Sequence, residues 1–248
     1  MIPESLKKMA RVLRRAGMTA AGLDHFPIRD VRIATSGVGG RPGSGYGEWQ
    51  VALERLGPES VVYSVGIGDD ISFDLDLIRQ IGVTVHAFDP TPESLEWLKG
   101  VELPDAFVIH GVALAADDGE LALYPHANPD YVSSSVLPVA HVAPDAVRVP
   151  GRRLATLMEE LGHGHVDLLK MDIEGAEYDV LKDIVASGAD VRQLLVEFHH
   201  RFPEVGMDRT RDAIRALREA GYALFTISSR GEELGFIRQD RAAPHAAF

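Results

Sequence analysis

The chain has 248 residues, a formal net charge of −12 and no cysteine. An α/β unit of this length commonly forms one domain with a sizeable core, and the acidic balance argues against a nucleic-acid partner, which would need a basic face. The lack of cysteine excludes disulfides, thiolate metal sites and a cysteine nucleophile, and the lack of a long apolar run or signal-peptide pattern makes a soluble cytoplasmic protein the default expectation.

In chain order, Leu6, Met9, Ala10 and Leu13 recur at helical spacing, with Lys7, Lys8, Arg11, Arg14 and Arg15 on the other faces. This predicts a basic amphipathic helix ending at Gly17 that docks on or caps the fold. The run SGVGGRPGSGYG, Ser36 to Gly47, lacks the Gly-Lys-Ser/Thr ending of a phosphate-binding loop and predicts a mobile loop. It leads into Glu48 and Trp49, and Tyr46 and Trp49 either pack over a ligand or anchor the loop to the core.

Beyond Pro58 apolar runs alternate with amphipathic stretches. Strands are predicted at Val61 to Gly66, Val83 to Phe88, Ala106 to His110, Val166 to Met171 and Arg192 to Phe198. Helical stripes lie between them at Ile71, Leu75 and Ile78, at Leu154, Leu157, Met158 and Leu161, and at Val180, Leu181, Ile184 and Val185. Near-continuous apolar strands alternating with such helices imply a parallel sheet covered on both faces. Pro125 to Gly151, rich in Pro, Ser, Asn and His, reads as a long irregular loop. It carries His126, Tyr131, Ser133 to Ser135 and His141, and its position makes it a candidate acceptor lid, with a solvated loop the simpler reading and no catalytic role assigned. A helix from about Asp208 to Ala220 precedes strands at Tyr222 to Ile227 and Glu233 to Arg238, too closely joined to be parallel to each other. Residues 1–57 are thus expected to form a helical extension with a glycine-rich loop, residues 58–240 one globular unit with it, and 241–248 a loose tail.

Two strand-to-helix corners carry the chemistry. In VGIGDDISFD, Gly66 and Gly68 allow a tight turn and close backbone approach to a ligand, and Asp69 or Asp70 can cap the next helix. Asp89 ends the second strand of this unit, where a carboxylate can accept the ribose hydroxyls of an adenosine cofactor or, alternatively, cap the following helix. NAD, FAD and S-adenosylmethionine can all use such a corner. Asp69 and Asp70 at the helix start disfavour a diphosphate and suit the sulfonium and ammonium of S-adenosylmethionine.

The second corner is LLKMDIEGAEYDVL, Leu168 to Leu181, which delivers Lys170, Asp172, Glu174 and Glu177 to one sheet edge. Glu197 and His199 end the adjacent strand and share a face, whereas His200 points the other way if the strand continues. Chemistry on a substrate hydroxyl at such an edge would need positioning and a proton acceptor. Either His199 is the general base, or Asp172, Glu197 and His199 hold a divalent metal such as Mg²⁺ that lowers the acceptor pKa. Each also has a structural reading, with His199 as a strand-end histidine and Glu197 paired with Lys170. Glu174 and Glu177 open a helix, where acids complement the dipole.

VYSVGIGDDISFDLDLI, VHAFDPTPESLEWL and LLKMDIEGAEYDVL, in that order and spacing, resemble the successive motifs of FkbM-type S-adenosylmethionine-dependent methyltransferases over about Tyr46 to Phe198. The resemblance implies a Rossmann-like, seven-stranded class I methyltransferase sheet, mostly parallel with a C-terminal antiparallel hairpin. It places cofactor positions at Gly66, Gly68, Asp89 and around Val112-Ala113, with Asp172 nearby. It also implies a small-molecule or glycan acceptor methylated on a hydroxyl, and leaves open whether the chain forms a homo-oligomer. The family commonly has an acid before the first glycine and Asn-x-Gly after it, as in D-x-G-A-N-x-G. Here Ser64 stands at the acidic position, so the amino-acid end of the cofactor is expected to be held differently, with Asp69 a replacement for the lost acid. That departure keeps a non-catalytic cofactor-binding relative as the alternative, followed by a nicotinamide-dependent oxidoreductase.

Overall fold

The computed structural model describes residues 29–40, 47–126, 134–137 and 145–239, together with Met9, Ala10, Leu13 and Gly17. Most of the expected N-terminal helix, Tyr46, Tyr131, Ser133, His141 and the 241–248 tail lie outside the described residues. Met9 and Leu13 are helical and exposed. No described helix is long and apolar enough to cross a membrane.

The elements begin with strands β1 (Ser36–Gly39) and β2 (Glu48–Val51), which pair antiparallel. Then come β3 (Val62–Val65), helix α1 (Ser72–Ile81), β4 (Val85–Phe88), α2 (Pro92–Leu98) and β5 (Phe107–His110). An excursion follows through β6 (Ala113–Leu114), β7 (Gly119–Pro125), β8 (Ser134–Ser135) and β9 (Val147–Arg152). The remainder is α3 (Leu154–Leu161), β10 (Val166–Met171), α4 (Glu177–Ser187), β11 (Val191–Glu197), α5 (Gly206–Glu219), β12 (Tyr222–Ile227) and β13 (Glu233–Arg238).

Seven strands form the main sheet in the order β12-β13-β11-β10-β3-β4-β5. All its pairs are parallel except the two made by β13, which enters antiparallel between β11 and β12. Every residue of central β10 is buried, which is why VDLLKM reads as an unbroken apolar run despite Asp167 and Lys170. Asp167 is tolerated because its carboxylate accepts the Val61 N–H at 2.8 Å and a hydrogen bond from Arg192 at 2.6 Å.

One sheet face packs Tyr63, Val65, Leu169 and Met171 against Leu154, Leu157, Val180, Leu181, Ile214 and Leu217 of α3, α4 and α5. The other packs Val62, Leu168 and Leu195 against Phe73 and Leu77 of α1 and Val38, Trp49 and Val51 of the β1–β2 pair. The expected glycine-rich loop is therefore partly strand, a correction with a local cause. Val38 is fully buried, and Gly39, at φ +74, lies so close to α1 that a Cβ there would sit 2.6 Å from the Phe73 Cα. Glycine here serves close packing rather than mobility.

The expected irregular loop from Pro125 to Gly151 is corrected in part, since Ser134–Ser135 and Val147–Arg152 are strand, while residues 127–133 and 138–144 lie outside the described residues. β9 lies between β6 and β7, with β8 at the edge, in a separate four-stranded sheet. Val147, Val149 and Gly151 alternate inward, and the two valines pack with Leu121, Leu123, Val136 and Ala113. The exposed Pro150 obscures this short period in the sequence.

Candidate active site

The carboxyl ends of β3, β4 and β10 and the β12–β13 turn surround a cavity of about 290 Å³. Gly66, at φ +75, turns the chain out of β3, and a Cβ there would fall 1.7 Å from the Asp172 carbonyl oxygen. Only glycine fits this junction. The Gly66 N–H donates to the Phe88 carbonyl at 3.0 Å, and its own carbonyl accepts Lys170 Nζ at 3.0 Å. Asp89 Oδ2 accepts the N–H groups of Ile67 and Gly68, at 3.1 and 3.0 Å, while Oδ1 accepts the Thr91 N–H at 2.9 Å and its hydroxyl. Asp89 thus fastens the glycine turn to the second strand and holds Thr91 just ahead of α2, without capping the helix itself, while also facing the cavity.

Of the site residues expected from the sequence, Gly66, Gly68, Asp69, Asp89, Ala113, Trp49, Asp172 and Glu197 line the cavity. Ser64 does not. It is wholly buried beneath the turn, on the sheet face covered by α1, beside its register partner Lys170. Val112 packs into the core next to Leu114 instead of lining the cavity. Asp70 lines it too and accepts the Ser72 N–H at 2.9 Å, securing the first turn of α1.

The second corner centres on His199, just past β11. Its Nδ1 is 2.8 Å from Glu177 Oε1, and its Nε2 is 3.4 Å from Glu174 Oε2 and 3.7 Å from Asp172 Oδ1. Glu177 is fully buried and satisfied, because it also accepts the Ile173 and Gly175 N–H groups at about 3.1 Å. Glu174 holds the strained backbone φ of +50, fixed from the second sheet by the Ser135 hydroxyl, which donates to its carbonyl at 2.6 Å. Burial alone would lower the His199 pKa, but Glu177, then Asp172 and Glu174, raise it well above the ordinary imidazole range. These carboxylates favour the imidazolium form of the ring.

Burial raises the Asp172 pKa against the opposing pull of Lys170 and His199, and pushes Glu174 up to about 7. Glu197 rises to about 9, through burial first and then the charges of Asp172 and Glu233. Glu233 is its antiparallel register partner. Arg230 does little for Glu197, being bound to Glu233 at 2.6 Å. The cluster whose atoms could share a metal ion is Asp172, Glu174 and His199, with one ligand atom each and all within 4.8 Å of one another. Glu174 takes the place expected of Glu197 because the tight turn after β10 swings it toward the imidazole. Glu197 is at the cavity wall without joining that cluster, and the structure gives it no ion pair with Lys170.

Sequence reasoning did not pick out Arg230 and Glu233 from the β12–β13 turn, or Leu121, Leu123 and Val136 from the second sheet, all of which line the cavity. The first pair could have been found from the topology, since a hairpin beside β11 ends at the same carboxyl edge. The leucines carry no chemical signature.

The family profile for the methyltransferase FkbM domain matches residues 60–224. The human protein named "Probable methyltransferase-like protein 24" is 28% identical over 148 residues, 57% of this chain and 33% of that protein. Its counterpart from Rattus norvegicus is 26% identical over 208 residues, 79% of this chain and 49% of that protein. The chain spans between a third and a half of the length of these curated relatives. Among solved structures, the fibrillarin pre-rRNA processing protein of Methanococcus jannaschii matches with a TM-score of 0.45 and 9% identity, over 73% of this chain and 66% of that one.

Proposed function

The chain belongs to the methyltransferase FkbM domain family, and from that premise we propose that it transfers the methyl group of S-adenosylmethionine to a hydroxyl of a small-molecule or glycan acceptor, with Asp172 as proton acceptor. The observation that carries this reading is the opening of the Asp172–Glu174 pair, braced by His199 and Glu177, onto the cavity beside the glycine turn.

In this reading Gly66 and Gly68 let the cofactor approach the backbone, Asp89 receives its ribose and Trp49 borders it. The carboxylates Asp69, Asp70, Asp172 and Glu174 favour its cationic sulfonium and ammonium groups. The acceptor oxygen attacks the methyl carbon in line as the carbon–sulfur bond breaks. Sulfur keeps the electron pair and becomes a neutral thioether, while the hydroxyl proton passes to Asp172. The base role moves from His199 to Asp172 because the imidazole already carries a proton, whereas a carboxylate with a raised pKa is a stronger base than a free one. His199 then stabilises the ionised Asp172.

A second reading has one supporting observation. Asp172, Glu174 and His199 offer oxygen and nitrogen donors suited to a divalent ion, and His199 has its other nitrogen on a buried carboxylate, the usual outer partner of a metal-bound histidine. A bound ion would lower the acceptor's pKa.

The test is calorimetry with S-adenosylmethionine and S-adenosylhomocysteine, followed by a screen of hydroxylated acceptors for label transferred from methyl-labelled cofactor. Binding with transfer is expected. A folded protein that binds neither ligand overturns the reading, and binding without transfer to any acceptor favours the non-catalytic alternative. Chelation that abolishes transfer, with recovery on adding Mg²⁺, would favour the metal reading.

A further inference from the structure

Beneath the glycine turn, on the sheet face opposite His199, lies a second buried polar group that the reaction scheme leaves unused. Asp74 projects from the buried side of α1 and is 1% exposed, and Ser64 on β3 is fully enclosed. Asp74 and the Ser64 hydroxyl are near enough to interact with each other, but neither Asp74 Oδ1 nor Ser64 Oγ reaches full hydrogen-bond geometry with any described residue. An aliphatic residue would fill the Asp74 position at no desolvation cost, so a buried acid there needs a reason.

The charges acting on Asp74 are those of Lys170 and Asp70. Burial pushes its pKa up to about 6, with Lys170 and the Ser64 hydroxyl opposing the rise, so the acid is ionised at neutral pH. Lys170 is 6% exposed, donates to the Gly66 carbonyl, and lies 5.5 Å from the centroid of the Trp49 ring. Lys170, Gly66 and Trp49 all line the cavity, whereas Asp74 and Ser64 do not. A buried ammonium at the edge of a cavity meant for a cationic cofactor repels that cofactor unless something cancels it.

We infer that Asp74 is a positioning acid for the cofactor, cancelling Lys170 from α1 and supplying the negative charge that the family places on the strand at the Ser64 position. The inference rests on the S-adenosylmethionine reading. It moves the replacement for the lost acid from Asp69 on the cavity wall to Asp74 below the turn. Lys170 can then hold the Gly66 carbonyl without opposing the sulfonium.

The two cofactor forms separate charge from shape, since S-adenosylmethionine carries the sulfonium charge and S-adenosylhomocysteine does not. Calorimetry gives the ratio of their affinities in each variant. In Asp74→Asn the ratio is expected to shift about tenfold against S-adenosylmethionine. In Lys170→Met both ligands weaken because Gly66 loses its donor, but the ratio shifts toward S-adenosylmethionine. Adding Ser64→Asp to Asp74→Asn is expected to bring the ratio back to within about threefold of wild type. Should Asp74→Asn fail to fold, the opposite shift in Lys170→Met still tests the sign. Wild-type binding of both ligands with a ratio that no variant moves overturns this inference alone. A folded wild type that binds neither ligand overturns the cofactor reading and this inference with it.

Discussion

Two histidine-containing groups flank the same sheet and behave oppositely. His199 stands among Glu177, Glu174 and Asp172 and is held charged. His86, on β4, bonds His110 Nε2 through its Nδ1 at 3.1 Å and meets the edge of the His163 ring at 4.9 Å, while Tyr63 donates or accepts at His163 Nδ1 at 2.8 Å. There burial, followed by the neighbouring imidazoles, lowers the His86 pKa to about 4. The first group opens toward the cavity through its carboxylates. The second is an aromatic stack, with Phe88 and His110 at a centroid separation of 4.7 Å. A histidine's function here follows from the charges around it, and clustering alone gives no sign of chemistry.

The comparison can be broken most severely at Asp172. Asp172→Asn is expected to lower the transfer rate by about 10³ while leaving cofactor affinity within a few-fold, measured by single-turnover assay and calorimetry. A rate near wild type would take Asp172 out of the mechanism. Glu177→Gln comes next. The imidazole pKa of His199 is expected to fall by at least about one unit, followed by NMR titration, and the rate by about tenfold, because ring and acid lose their brace. If the titration does not move, the electrostatic account of this corner is wrong.

A stability test sharpens the contrast on the acidic side. Glu197 has a folded pKa near 9, above its ordinary value of 4.5, so the folded state binds more protons. Its contribution to stability is complete below about pH 4.5 and is lost as pH rises toward 9. Glu197→Gln, which mimics the protonated acid, should therefore stabilise the fold at pH 8 by on the order of 2 kcal/mol, read as a raised melting temperature, with no gain at pH 4.5. The smallest effect is expected in the other cluster. His86→Phe should leave the transfer rate within about twofold. The depressed His86 pKa costs stability as pH falls from 6.5 through about 4, so this variant should denature at a lower pH than wild type in acid titrations followed by circular dichroism.

Much of this was readable from the sequence, for identifiable reasons. The strands at Val166 to Met171, Tyr222 to Ile227 and Glu233 to Arg238 coincide with β10, β12 and β13, because long apolar runs leave little choice of register. Gly66 and Asp89 were recognisable because a turn out of a strand and an acid at the end of the next are local patterns. The partners of His199 were not. Which of Glu174, Glu177 and Glu197 reaches the ring depends on a positive-φ turn and on the strand ending at Glu197, and neither is encoded in spacing. Ser64 was misplaced for a related reason, since an acid position in a motif does not reveal on which sheet face a serine will point. The strands around Val147 and Leu121 were missed because they belong to a short sheet whose alternation is interrupted by Pro150.

The reversed strand β13 has a consequence for how the molecule is made. It follows every other strand among the described residues, yet it is inserted between β11 and β12. During synthesis those two strands must wait with open edges until residues 233–238 leave the ribosome, and a nascent chain stalled before that point presents them to neighbouring chains. The same late segment brings Glu233 to the cavity and follows directly on Arg230. This wall of the cavity therefore closes only when the sheet itself does, so a chain truncated before it would combine open strand edges with an incomplete cavity.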